Sequence, residues 1–173
     1  MRCRAFSLPE LLAVLAIAGV LLGLALPSWG YQLAAAATRA SASQALSGLA
    51  LARRTALASG HAVTMCLTKD LRRCDLGGRE WMLFMNQQVG SLQHREDGEK
   101  LLRRWPLLKG VQVGATRAYV WFQAQPRAAA TVTLQFCHPA AATARRTVVV
   151  SQTGRARVNY GDVTSNSPQS RCP

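Results

Sequence analysis

An α+β fold, with one long N-terminal helix packed on an antiparallel β-sheet domain, is predicted by three features of this 173-residue chain. Apolar and alanine residues recur at helical spacing up to Ser59, and no proline interrupts between Pro27 and Pro106. Beyond Gly60 the texture changes to short runs rich in β-branched and aromatic residues, divided by turn chemistry. No internal repeat is present, so a helix laid across antiparallel sheet is the expected outcome.

The helix is expected from about Ser7 to Ser59, kinked near Pro27 and roughly 80 Å long. Its first half follows a basic leader, Met1-Arg2-Cys3-Arg4-Ala5, and the segment Phe6-Ser7-Leu8-Pro9-Glu10. Leu11 to Leu26 then carries no charge. Leu8 to Leu26 comes close to the ~20 residues that span a bilayer. Arg2 and Arg4 in front of it keep the leader cytoplasmic and place everything after Pro27 outside. A secretory signal peptide keeps its apolar run free of acids and closes on a small-residue cleavage site. Glu10 would cost about 2.5–3.5 kcal/mol at the bilayer centre, so an acid at the mouth of this run needs a purpose. Trp29 and Tyr31 fall where an interfacial aromatic belt is expected. The second half is expected to pack on the domain, with Leu33, Ala36, Ala37, Ala40, Leu46, Leu49, Ala50, Arg53 and Leu57 at helical spacing. Gly60 is its natural C-cap.

Eight strands are expected after the cap: His61–Leu67, Glu80–Asn86, Leu101–Trp105, Val111–Val113, Ala118–Phe122, Thr131–Phe136, Thr147–Ser151 and Ala156–Tyr160. The sixth alternates cleanly, with Val132, Leu134 and Phe136 on one face and Thr131, Thr133 and Gln135 on the other. Gly77-Gly78, Asp97-Gly98, Pro126 and Thr153-Gly154 supply the turns. Asn86 to Lys100 reads as an exposed polar loop, and Trp81, Trp105 and Trp121 as core residues rather than base-stacking platforms.

Ala5-Phe6-Ser7-Leu8-Pro9-Glu10-Leu11-Leu12 resembles the class III signal of type IV pilins and pseudopilins. The resemblance implies that a prepilin peptidase cuts between Ala5 and Phe6 on the cytoplasmic side and methylates the new N-terminus. Glu10 becomes the fifth mature residue, which in that family meets the N-terminal amine of a neighbouring subunit during assembly. Pro27 falls at mature position 22, where pilins commonly carry a kinking proline. Ala5 departs from the family's usual Gly before the cut. The expected organisation is a leader at 1–5, a transmembrane or filament-core helix at 6–32 and a periplasmic pilin-like domain at 33–173. With Cys3 in the leader, Cys66, Cys74, Cys137 and Cys172 remain, an even number in an oxidising space. Four cysteines allow three pairings, and their order suggests Cys66–Cys74 and Cys137–Cys172. Metal binding is the competing idea, but no close CxxC pair or CxxC–histidine cluster supports it.

Charge narrows the partners. Setting aside Arg2 and Arg4 in the leader and Glu10 in the apolar helix, 19 Lys and Arg face seven Asp and Glu, about +12 for the exported part. All but Lys69, Lys100 and Lys109 are arginines, whose planar forks suit phosphate oxygens. Such a field attracts DNA, acidic polysaccharide or anionic lipid without choosing among them.

Val148 to Val158 reads as strand, tight turn and strand, with Gly154 at the turn. Arg155 and Arg157, two apart on a strand, share a face about 6.5 to 7 Å apart. That is close to the ~6 to 7 Å between neighbouring phosphates of one nucleic-acid strand. Gly154-Arg155-Ala156-Arg157 also resembles the C-terminal GRxR signature of FimT-type minor pilins. Looser likeness to the wider FimT/GspH group runs through Leu51–Ala56, Val63–Cys66, Glu80–Phe84, Leu101–Arg103 and Tyr119–Phe122. FimT-type proteins sit in type IV pili and bind DNA for uptake in natural transformation, partly through the arginines of this motif. Carried over, the resemblance names Arg155 and Arg157, with Arg145, Arg146 and Arg171 as further candidates. Arg72-Arg73 and Arg103-Arg104 read as plain surface, and the stem of Arg53 or Arg54 on the helix can cover apolar sheet.

His61, His94 and His138 are scattered, and no HExxH, GxSxG, paired-carboxylate or Walker pattern exists. The expectation is a non-enzyme without cofactor or metal: a minor type IV pilin gripping DNA without sequence preference. Its expected partners are DNA, other pilins and the prepilin peptidase. It would reside first in the inner membrane of a Gram-negative bacterium and then in the pilus at the cell surface. The alternative is a GspH-type pseudopilin or priming minor pilin with a structural role in type II secretion or pilus assembly. A third class is an adhesin for acidic glycans or lipids.

Overall fold

The computed structural model describes residues 8–86, 91–123 and 129–159, without the side chains of 22 and 24–28. One helix, α1 (Leu8–Ser59), is continuous through Pro27. It stops where glycine allows it: Gly60 takes φ +72° and donates its N–H to the Ala56 carbonyl at 3.0 Å. In its first half Leu8, Leu11, Leu12, Val14, Leu15, Ile17, Val20 and Leu21 are all 56–75% exposed. Among the described residues no helix is long and apolar enough to cross a membrane.

The second half packs on the domain through a stripe that overlaps the expected one only in part: Leu49 is buried, and Ala37 and Leu46 pack against the core. Ala42, Ala45, Leu49, Ala52 and Ala56 are buried, whereas Leu33, Ala36, Ala40, Ala50, Arg53 and Leu57 face outward. Small side chains win this face because they let the helix axis come close to the sheets. At Gly48 the approach is closest, since a Cβ there would sit 2.7 Å from the Trp105 ring.

The strands are β1 (Ala62–Thr68), β2 (Glu80–Asn86), β3 (Leu101–Pro106), β4 (Gln112–Ala115), β5 (Tyr119–Phe122), β6 (Val132–Cys137), β7 (Arg146–Val150) and β8 (Ala156–Asn159). They form two antiparallel sheets, ordered β3-β2-β1-β5 and β4-β6-β7-β8. The main core lies between α1 and both sheets. The first contributes Val63, Met65, Leu67, Trp81, Leu83, Val120 and Phe122; the second contributes Val132, Leu134, Phe136, Val148 and Val150. Of the tryptophans expected in the core, Trp81 is buried, while Trp105 and Trp121 are half-buried. The strand period of two sends Cys66, Met82 and Phe84 to the opposite face, where they form a second apolar cluster with Cys74.

A disulfide joins Cys66 to Cys74. Within its loop the Asp70 carboxylate accepts the N–H groups of Arg72 and Arg73, both at 2.9 Å. Those bonds, Arg73 first, hold its pKa down to about 2. The loop is tied to the 91–99 segment by Arg95 Nε donating to the Leu71 carbonyl at 2.9 Å and by an Arg72–Asp97 ion pair at 3.0 Å. Cys137 is also disulfide-bonded; Cys172, its expected partner, lies outside the described residues.

A candidate nucleic-acid interface at the β7–β8 hairpin

Five residues, Ser151 to Arg155, connect β7 to β8, and the bonded pair Ser151 and Arg155 encloses a three-residue turn, Gln152, Thr153 and Gly154. Gly154 N–H donates to the Ser151 carbonyl at 2.8 Å, and Ser151 N–H donates to the Arg155 carbonyl at 3.0 Å. The Arg155 N–H donates in turn to Ser151 Oγ at 3.2 Å. Gly154 closes the loop at φ +73°, the left-handed residue that three-residue hairpins favour. It is buried, and a Cβ there would meet Phe122 and Arg53 Nε at 3.4 Å. Gly154→Ala is therefore expected to destabilise the fold by about 1–2 kcal/mol, because an L residue pays for left-handed backbone. Thermal melts should show that loss, with Gly154→Asn closer to wild type.

From Arg155 to Asn159 exposure alternates, with Ala156 and Val158 turned inward and Arg155, Arg157 and Asn159 exposed. Arg155 stands just before β8 and Arg157 within it, opposite Val149 of β7. The two guanidinium stems thus leave the same face of the hairpin.

The other sequence candidates do not join them. Arg145 and Arg146 stand at the far end of β7, a strand about 13 Å long for its four residue steps. There Arg145 Nε donates to the Ala142 carbonyl at 3.0 Å and Arg146 Nη1 to the Arg145 carbonyl at 2.7 Å. Arg171 lies outside the described residues, as do Ala5 and Phe6; Glu10 is exposed in the first turn of α1.

Instead the fold brings Arg53 and Arg54 of α1 to the hairpin. A groove of about 500 Å³ is lined by Leu46, Leu49 and Ala50, by Arg53 and Arg54 on the helix bank, and by Gly154, Arg155 and Ala156 on the hairpin bank, with Ser47 at its edge. Among the described residues no carboxylate lines it. Among the described residues, Arg53, Arg54, Arg155 and Arg157 make no salt bridge. The acids are spent elsewhere. Asp75 pairs with Lys69, Asp97 with Arg72 and Glu80 with Arg104, while Asp70 caps its own loop. Sequence reading placed Arg53 and Arg54 on the helix but not at this site. Only the outward position of Arg53 on α1, beside a glycine turn far along the chain, makes them neighbours.

A family model described as type II transport protein GspH matches residues 41–154. The prokaryotic N-terminal methylation motif matches residues 1–26. The family match ends at Gly154, so Arg155 and Arg157 lie just past it. No curated protein sequence matches the chain. Among solved structures, the type IV minor pilin FimU of Pseudomonas aeruginosa is similar at 19% identity and a TM-score of 0.56, covering 79% of this chain and 95% of that one. The minor pseudopilin EpsH of the Vibrio cholerae type 2 secretion system is similar at 15% identity and a TM-score of 0.50, covering 70% and 95%. At these identities the likeness is one of fold: a long N-terminal helix with antiparallel sheets.

Proposed function

The chain belongs to the GspH family of type II transport proteins, and from that premise we propose that it is a minor type IV pilin that captures DNA through the β7–β8 hairpin. The observation that carries this reading is that, among the described residues, Arg53, Arg54, Arg155 and Arg157 at the hairpin make no salt bridge, while Asp75, Asp97 and Glu80 pair with other cations. Guanidinium groups free of ion pairs neutralise phosphates and release condensed counterions, giving affinity without sequence preference. The exposed apolar face of Leu8–Leu21 suits a bilayer first and the packed core of a filament afterwards. Processing at Ala5–Phe6 by prepilin peptidase, with Glu10 meeting a neighbour's N-terminal amine, would then place the domain in the periplasm and finally at the pilus surface, among other pilins. Retraction driven by other proteins would draw bound DNA inward. Nothing in this role calls for catalysis.

The test is a binding titration of the full chain in detergent against duplex DNA at several salt concentrations. Each phosphate contact adds about −0.9 to the slope of log affinity against log salt. Arg155→Gln/Arg157→Gln should flatten that slope by about 1.8 and weaken binding at near-physiological salt. An unchanged slope would remove the hairpin from the interface. No binding at all by the wild type would leave a structural GspH-type subunit, the role that the family match alone favours.

A further inference from the structure

Resting on the DNA-binding reading, we infer that the groove between α1 and the β7–β8 turn is a seat for the backbone of a single DNA strand, with Arg53 and Arg54 as its second bank. A duplex lying on the hairpin can touch Arg155 and Arg157, which both face solvent. The groove is another matter. Its volume of about 500 Å³ is within the ~300–1,000 Å³ range of small-ligand pockets, a size that suits a nucleotide segment rather than a double helix.

The chemistry of the lining fits such a segment. Cationic side chains stand on both banks, Arg53 and Arg54 on one and Arg155 on the other. Leu46, Leu49, Ala50 and Ala156 offer an aliphatic floor, and among the described residues no aromatic ring lines it, so a sugar edge is accommodated and base stacking is not supplied. The seat is therefore indifferent to sequence. Arg54 Nε donates to the Ala50 carbonyl at 3.3 Å, and Arg53 Nε lies 3.4 Å from where a Cβ on Gly154 would stand, so the helix bank reaches the turn. Charge complementarity selects the occupant, because among the described residues the groove presents three guanidinium groups and no acid.

The experiment compares a blunt duplex, the same duplex with a single-stranded overhang, and a single-stranded oligonucleotide, each titrated against the full chain in detergent. The wild type should bind the overhang several-fold more tightly than the blunt duplex. Arg53→Gln/Arg54→Gln should abolish that advantage, read as the ratio of overhang to blunt-duplex affinity, whatever it does to blunt-duplex binding itself. Ala50→Leu keeps every charge, adds no stacking ring and crowds the floor at an exposed helix position, so it should reduce the advantage as well. Melting curves of both variants check that the fold is retained. Equal wild-type affinity for blunt and overhanging duplex would overturn the inference, as would an advantage undiminished in Ala50→Leu. Either result leaves the hairpin reading intact if Arg155→Gln/Arg157→Gln still weakens the blunt duplex. Loss of all three binding modes in the wild type would instead remove DNA binding itself.

Discussion

Phe136→Ala is expected to lower the free energy of unfolding by about 3–5 kcal/mol, the range found when a buried aromatic leaves a cavity that its surroundings cannot close. Phe136 is fully buried on β6 in one sheet, and its ring lies 6.4 Å from that of Trp81 on β2 in the other. Trp81 stacks in turn on Trp105 at 6.2 Å, and Trp105 touches the Gly48 position of α1. The row therefore ties both sheets to the helix. Relaxation is blocked because the neighbours belong to separate hydrogen-bonded sheets. Urea or guanidinium unfolding followed by tryptophan fluorescence measures the loss. A cost below about 1 kcal/mol would mean that the two sheets do not share one core.

Removal of the Cys66–Cys74 bond by Cys66→Ala/Cys74→Ala should cost about 2–3 kcal/mol, from the chain entropy a nine-residue ring denies the unfolded state. The bond also closes the lid over the second apolar cluster, where Met82 and Phe84 are wholly buried. DNA binding by the folded variant should match wild type, because this loop belongs to the β1 side of the domain and the hairpin to the other sheet. Paired unfolding and binding titrations separate the two effects. A variant that stays as stable as wild type would show that the bonds to the 91–99 segment hold the loop unaided. Lost binding by a folded variant would show that the loop contributes to the interface.

Much of the architecture was legible in the residues themselves. The eight strands fall on the runs predicted from alternation and turn chemistry, since a period of two and a glycine turn are local properties. Gly60 ends its helix and Gly154 closes its turn for the same reason: the chain needs left-handed backbone there, and glycine takes it freely. The helical stripe was misread because hydrophobicity pointed to Leu33 and Leu57, whereas close packing selects alanines. The leucine weights exceed those of alanine on any hydropathy scale, and no local signal says how near the sheets will come.

At the interface the division is similar. The leader motif, the net positive charge and the shared face of Arg155 and Arg157 follow from the sequence alone, through composition, motif and strand period. Which other arginines stand beside them does not. Arg145 and Arg146 are nearer in the chain yet are held at the opposite end of β7, because a strand is rigid and keeps its ends apart. Arg53 and Arg54 are remote in the chain yet share a groove with Gly154 and Arg155. Only tertiary structure decided that, because it depends on the rotation of α1 over two sheets and on β8 being the edge strand next to it, and long-range packing sets both.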